Sequence, residues 1–229
     1  MIFVLVHSPL VGPSTWAPIA GALERRGQRA LVASLLARGG VPPLGWRQCV
    51  EAVESAAQAL PGSEPVVLVG HSGGGLLLPP IADALTRPVA TLLFVDSDVP
   101  VPTGKTPFVP PFLLEQLRSL SVDGVLPPWS TWFGEEVMRE LVPDDAQRSL
   151  LAQEMPSLPL AFLEQSIPSP IGWDRLPCAY LLLSEAYRDA AAEAKGRGWR
   201  VEEIGGAQHL HIVVAPDTVA DALIRLAGA

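Results

Sequence analysis

The run Val66-Val67-Leu68-Val69-Gly70-His71-Ser72-Gly73-Gly74-Gly75-Leu76 carries the chemistry of this chain. An apolar strand enters G-x-S-x-G and leaves into a helical segment, the pattern of a nucleophile elbow. A turn this sharp strains the backbone at Ser72 and admits only small residues two places before and after it. It lifts the serine hydroxyl above the sheet edge and sets it at a helix N-terminus. Unpaired backbone N–H groups there favour developing negative charge, so the Gly73 N–H is the expected oxyanion donor. His71-Ser72 interrupts the spacing of a Gly-rich dinucleotide fingerprint. The chemistry expected is nucleophilic attack by a serine hydroxyl.

A serine hydroxyl needs a general base. The chain holds four histidines: His7, His71, His209 and His211. His71 lies inside the elbow, where its side chain points away from the nucleophile. His7 ends the first apolar run. His209 and His211 come late, before the final helix, which is the chain order Ser…His expected for an elbow enzyme. His209 follows the flexible turn Gly205-Gly206-Ala207-Gln208 and is the expected base. His7, His71 and His211 are assigned to the pocket wall, His211 with a structural role or that of alternative base as its other readings.

These residues need a scaffold to hold them. Short Val/Leu/Ile-rich runs at Ile2–Val6, Arg29–Ala33, Val66–Val69, Thr91–Val95 and Ala179–Leu183, with a weaker sixth at Trp199–Ile204, suit strands buried on both faces. Helical segments alternate with them: Trp16–Arg26, Arg47–Leu60, Leu76–Leu85 and Asp217–Leu226. The pattern predicts an α/β fold with a mostly parallel sheet of about six strands flanked by helices. Residues 98–170 break the alternation, and the reading places no strand there. Short helices are expected at Pro111–Ser119, Gly134–Leu141 and Asp144–Glu154. The expected organisation is a core of residues 1–97 and 171–229 with a helical cap, 98–170, inserted in it.

Composition narrows the function. The chain has 229 residues, 48% hydrophobic and 17% charged, with a formal net charge of −8. That apolar content excludes intrinsic disorder. The acidic balance argues against nucleic acid as a partner, because phosphate contacts need clustered Lys and Arg. No uninterrupted apolar run is long enough to span a membrane. The first apolar run is short and lacks a basic flank, so no targeting segment is expected. The two cysteines, Cys49 and Cys178, are far apart, which suits neither a disulfide framework nor a metal spacing, and fits a cytoplasmic setting. No metal or organic cofactor is expected. A mean hydropathy of +0.30 leaves room for a buried homodimer surface.

The cap segment holds 10 acidic and 4 basic residues, and so most of the net charge. Such a surface repels strongly anionic substrates. It also holds Phe108, Phe112, Trp129 and Trp132, which are expected to line an apolar pocket over Ser72.

In these motifs the chain resembles the α/β-hydrolase superfamily, and within it the methylesterase and hydroxynitrile lyase group and its bacterial relatives. Phe3–His7 followed by Gly12 and Trp16 matches that group's first strand and oxyanion turn. Val66–Gly74 matches the elbow, and Gly205–His209 with Pro216 matches the histidine loop. The resemblance covers the sheet, about two-thirds of the chain. It implies an oxyanion turn after His7, but Ser8 replaces the usual glycine, and Pro9 has no N–H to donate. Ser8 or Leu10 must then supply the second donor. The lyases carry a hydroxyl residue at the position of Ser8, yet they place a lysine where this chain has Leu210, which argues against cyanohydrin cleavage.

The resemblance also places the acid of the triad in the loop after Ala179–Leu183, where this chain has Tyr187. A tyrosine cannot serve as an anionic orienter near neutral pH. Asp96, ending Thr91–Val95, is the favoured replacement, since some superfamily members put their acid there. Glu185 and Asp98 are the alternatives. The sequence thus predicts a serine hydrolase, esterase- or lactonase-like, acting on a neutral and fairly apolar small molecule. A lyase, cyclase or acyltransferase on the same fold, or a ligand-binding relic of it, are the competing readings.

Overall fold

The computed structural model describes residues 1–37 and 39–228. Six strands form one sheet: β1 (Ile2–Val6), β2 (Arg29–Ala33), β3 (Val66–His71), β4 (Val89–Val95), β5 (Cys178–Leu182) and β6 (Arg200–Glu203). The spatial order is β6-β5-β4-β3-β1-β2, and every neighbouring pair is parallel. In the central register Val4 lies beside both Leu31 and Leu68.

The central strands are almost wholly apolar because both of their faces are covered, whereas the edge strand β6 carries Arg200, Glu202 and Glu203. Val4, Leu68, Leu92 and Tyr180 face one layer, which includes Cys49 and Val53 of the helix Trp46–Gln58 and Ala190 and Ala194 of the helix Arg188–Gly196. Phe3, Leu5, Val69 and Leu93 face the other, against Ile19 and Leu23 of Ala17–Arg25 and Val219 and Leu223 of Pro216–Ala227. Each large side chain buried this way contributes roughly 1.5–3 kcal/mol. The helix Arg188–Gly196 has no counterpart in the sequence reading. Its Ala-rich stretch buries only small side chains, so the apolar periodicity that marks other helices is weak.

The parallel connections bring the carboxyl ends of the strands to one edge. Ser8 follows β1, Ser72 β3, Asp96 β4, Tyr187 β5 and His209 β6. This is where ligands bind in open α/β sheets.

Between β4 and β5 the chain crosses that edge. The helices Pro111–Leu120, Glu135–Leu141 and Asp145–Glu154 lie close to their expected bounds, the last with Asp144 as N-cap accepting from the Gln147 amide at 2.8 Å. The expectation of no strand between 98 and 170 is not met. Gly104–Pro107 pairs antiparallel with Ser166–Ser169, and Val125–Leu126 with Leu158–Pro159. These ladders are two to four residues long and contain three prolines, Pro107, Pro159 and Pro168, which hides them from any periodicity test. They join the start of the excursion to its end. Its buried residues do not form a core of their own. Phe108, Leu117 and Phe162 join one apolar layer of the sheet, and Met138, Leu151 and Met155 the other.

Candidate active site

The elbow is held by close packing. A Cβ on Gly70 would meet the Gly74 oxygen and the Gly75 Cα and N, all at 2.7 Å, and one on Gly74 would meet the Val6 oxygen at 2.5 Å and the His7 oxygen at 2.8 Å. Only glycine fits either place. Ser72 between them has φ 54°, a left-handed conformation rare for a non-glycine residue. The segment after it is a 3-10 turn, Ser72–Leu77, and becomes α-helical only over Leu78–Ala84. The helix expected from Leu76 therefore starts later. Pro79 and Pro80 sit in its first turn, where a missing N–H costs nothing.

Asp96 is the second strained residue of the apex, with φ 44°, and it is wholly buried. Its carboxylate gathers four hydrogen bonds. Oδ1 accepts from the Leu183 and Ser184 amides, each at 2.9 Å, and Oδ2 accepts from the Ser184 hydroxyl at 2.5 Å and from His209 Nδ1 at 2.8 Å. Burial opposes its charge, but the His209 and Ser184 bonds outweigh it and hold the carboxyl below its ordinary value. Glu185, the alternative acid, points to solvent and pairs with Arg188. Asp98 lines the cavity described below and has no bond to His209 among the described residues.

With Nδ1–H committed to Asp96, the neutral His209 ring leaves Nε2 free as an acceptor. The ring is fixed on three sides. The Tyr187 ring stacks on it (centroids 5.3 Å apart, planes 16° apart), Trp129 meets it edge-on at 6.2 Å, and His71 lies 4.5 Å away. His71 Nε2 donates to the His209 carbonyl oxygen at 2.9 Å, so the elbow itself holds the backbone of the histidine loop. Burial and the neighbouring His209 keep the His71 imidazole neutral, its pKa lowered to about 3.

The turn after β1 is organised by His7. Its Nδ1 donates to the Ser8 carbonyl at 2.8 Å and its Nε2 accepts from the Leu35 amide at 3.0 Å. Burial lowers its pKa to about 4. His7 is therefore no part of the pocket wall, contrary to the sequence reading: both ring nitrogens are used to shape the loop behind it. His211 is likewise displaced, since it opens the short helix His211–Val214 and lines none of the cavities around Ser72. Ser8 Oγ accepts from the Leu10 amide at 3.4 Å and lies 3.1 Å from where a Gly73 Cβ would stand, so the hydroxyl faces the Gly73 side of the elbow.

A cavity of about 460 Å³ opens over Ser72, within the range of small-molecule sites. Five aromatics of the 98–170 segment, Phe108, Phe112, Trp129, Trp132 and Phe133, are in its wall. Phe108 is buried against Phe162 and stands above Gly73, Trp132 is tied by its indole N–H to the Pro127 oxygen at 2.8 Å, and Phe112 lies at the mouth, 68% exposed. Trp129 reaches both this cavity and a second, water-sized one between His71, Ser72 and His209. The sequence offered no role for Tyr187 beyond that of a misplaced acid, nor any for Ser184. Both owe their place to the loop after β5, which Asp96 anchors. No group of three or more His, Cys, Asp or Glu side chains able to hold a metal occurs among the described residues. No helix among them is long and apolar enough to cross a membrane.

Residues 3–222 match the Alpha/beta hydrolase family. Methylesterase 8 of Arabidopsis thaliana is 28% identical over 248 residues, covering 98% of this chain and 89% of its own length. An alpha-hydroxynitrile lyase of the same plant is 32% identical over 126 residues, 52% of this chain and 46% of its own. Among solved structures, an extracellular alpha/beta-hydrolase from a Paenibacillus species superposes with a TM-score of 0.77 at 18% identity, covering 99% of this chain and 98% of that one. At that identity the likeness speaks for the fold alone.

Proposed function

This chain belongs to the α/β-hydrolase family and is a hydrolase, and from that premise we propose that it is a serine esterase acting on neutral, largely apolar small-molecule esters or lactones. Ser72 is the nucleophile, His209 the base and Asp96 the orienting acid. The observation that carries this reading is the 2.8 Å bond between buried Asp96 and His209 Nδ1, beside a serine in strained left-handed backbone. It supplies the charge system that the missing acid after β5 would otherwise leave out.

In the acylation step the Ser72 oxygen bonds to the substrate carbonyl carbon, its proton passes to His209 Nε2, and the carbonyl π pair moves onto oxygen. The Asp96 carboxylate stabilises the imidazolium and keeps its own proton-free state. The Gly73 N–H and the Ser8 hydroxyl donate to the oxyanion. Ser8 replaces the amide that Pro9 lacks, and because its oxygen accepts from Leu10, its hydrogen is left to donate outward. The imidazolium then protonates the leaving oxygen. Water, deprotonated by His209, releases the acyl group.

Substrate polarity follows from the wall. The cap supplies aromatic rings, and Asp98 brings a carboxyl whose pKa is raised by burial and by Glu193. That wall disfavours anionic acyl groups. The relatives named methylesterase support ester chemistry. A lyase that stabilises a released anion needs a cation beside the histidine, and Leu210 is buried and apolar.

The test is labelling with a serine-directed fluorophosphonate, followed by a panel of neutral and anionic esters. Rapid labelling and ester turnover are expected, both abolished in Ser72→Ala. A folded protein that neither labels nor turns over any ester overturns the reading.

A further inference from the structure

We propose that Tyr187 is a catalytic hydrogen-bond donor, whose neutral phenol assists departure of the substrate's alkoxy oxygen on the His209 side of Ser72. The inference rests on the esterase reading and assigns a group which that mechanism does not use. Tyr187 ends the short 3-10 turn Glu185–Tyr187, and its amide donates to the Ser184 carbonyl at 3.2 Å. Ser184 is in turn held by its amide and hydroxyl on Asp96. The carboxylate that orients His209 thus also fixes the loop that carries the phenol.

Two observations place the ring beside the reacting atoms. The ring lies parallel on the His209 imidazole at 5.3 Å, and it lines the cavity together with Ser72. Burial pushes the phenol up to about 12. At neutral pH the phenol is therefore a donor and no acid–base group. It is not part of the oxyanion pocket, because what stands over Gly73 is Phe108 and Ser8. The leaving oxygen must sit where His209 Nε2 can protonate it, which is the side that the stacked phenol shares.

The step balances without any added reactant. When Ser72 attacks, its proton goes to His209 and its lone pair enters the new C–O bond. The phenol hydrogen then turns to the alkoxy oxygen of the tetrahedral intermediate. As that C–O bond breaks, the electron pair stays on the departing oxygen, His209 gives it the proton, and Tyr187 keeps its own. Help of this kind matters for poor leaving groups such as simple alkoxides. It matters little for nitrophenolate, which departs unaided.

The experiment compares wild type with Tyr187→Phe, which keeps the ring stack and removes only the hydroxyl. kcat/KM is measured on a neutral alkyl ester and on the nitrophenyl ester of the same acid, beside the rate of fluorophosphonate labelling. The expected result is a loss of roughly 10- to 100-fold on the alkyl ester, the usual cost of a donor to developing charge. The nitrophenyl ester and the labelling rate stay within about threefold of wild type. Equal losses on both esters, or no loss on either, overturn the proposal. A change in melting temperature accompanied by equal losses assigns Tyr187 to structure alone. Absent labelling in wild type marks a failure of the esterase reading itself, and so separates the two.

Discussion

At the carboxyl edge of the sheet, Ser72 and Asp96 are held in left-handed backbone, Gly70 and Gly74 stand where an added Cβ would come within 3 Å of neighbouring backbone, and the Asp96 carboxylate has four hydrogen-bond donors. Directly above, the segment from Asp98 to Pro170 is built from helices of four to ten residues and ladders of two to four. Phe112 and Phe133 there are 68% and 55% exposed. The edge is over-determined, as strained residues must be to persist. The buried side chains of that segment join the two apolar layers of the sheet and form no separate core. The division suits a hydrolase, since geometry within a fraction of an ångström matters for proton transfer and much less for an apolar pocket wall.

The contrast predicts effects that shrink with distance from the edge. Asp96→Asn should lower kcat by about four orders of magnitude, the scale of misorienting a triad imidazole, whereas Glu185→Gln should leave it unchanged. Steady-state rates on one ester decide the matter, and a larger loss in the Glu185 variant would sink the assignment of the acid. Gly74→Ala should destabilise the fold by about 3 kcal/mol or more in urea titrations, because a Cβ would press on the Val6 and His7 carbonyls.

His7 tests the edge through pH. Burial holds it neutral down to about 4, while the unfolded chain takes up its proton near 6.5. Between those values the unfolded state binds more protons, so stability is fully present above the upper value and is lost as pH falls. About 2 kcal/mol should disappear between pH 7 and pH 5 from this residue. Unfolding curves at the two pH values should show a smaller difference in His7→Asn. The smallest effect belongs to the cap. Phe112→Ser should raise KM about fivefold for bulky apolar esters, near 1 kcal/mol of contact, while kcat stays constant and the melting temperature moves by about two degrees or less. A fall in kcat of the same size would break the contrast, because it would make the cap part of the chemistry.

Much of the edge was legible in the residues. Strands buried on both faces must be apolar throughout, so β1 shows its bounds directly. Gly-His-Ser-Gly-Gly at the end of β3 announces the tight turn that holds Ser72 in left-handed backbone. The ladders of the cap were invisible because proline-rich pairs of two to four residues have no period to detect. The helix Arg188–Gly196 was hidden by its alanines. His7 was read as pocket wall, since nothing local says that Leu35, 28 residues on, donates to its second nitrogen.

The sequence by itself determined the class of the fold and pointed to Ser72 as the proposed nucleophile and His209 as the histidine to serve it, because each depends on a local pattern of residue types. Which carboxylate meets that histidine was decided only by the tertiary structure. Asp96, Glu185 and Asp98 are equally able to carry charge. What selects Asp96 is that parallel strands β4 and β5 end side by side, so that the amides after β5 and the ring after β6 converge on one buried carboxylate. The same convergence placed Tyr187 against the imidazole, a contact between residues 22 positions apart that no spacing in the chain announces.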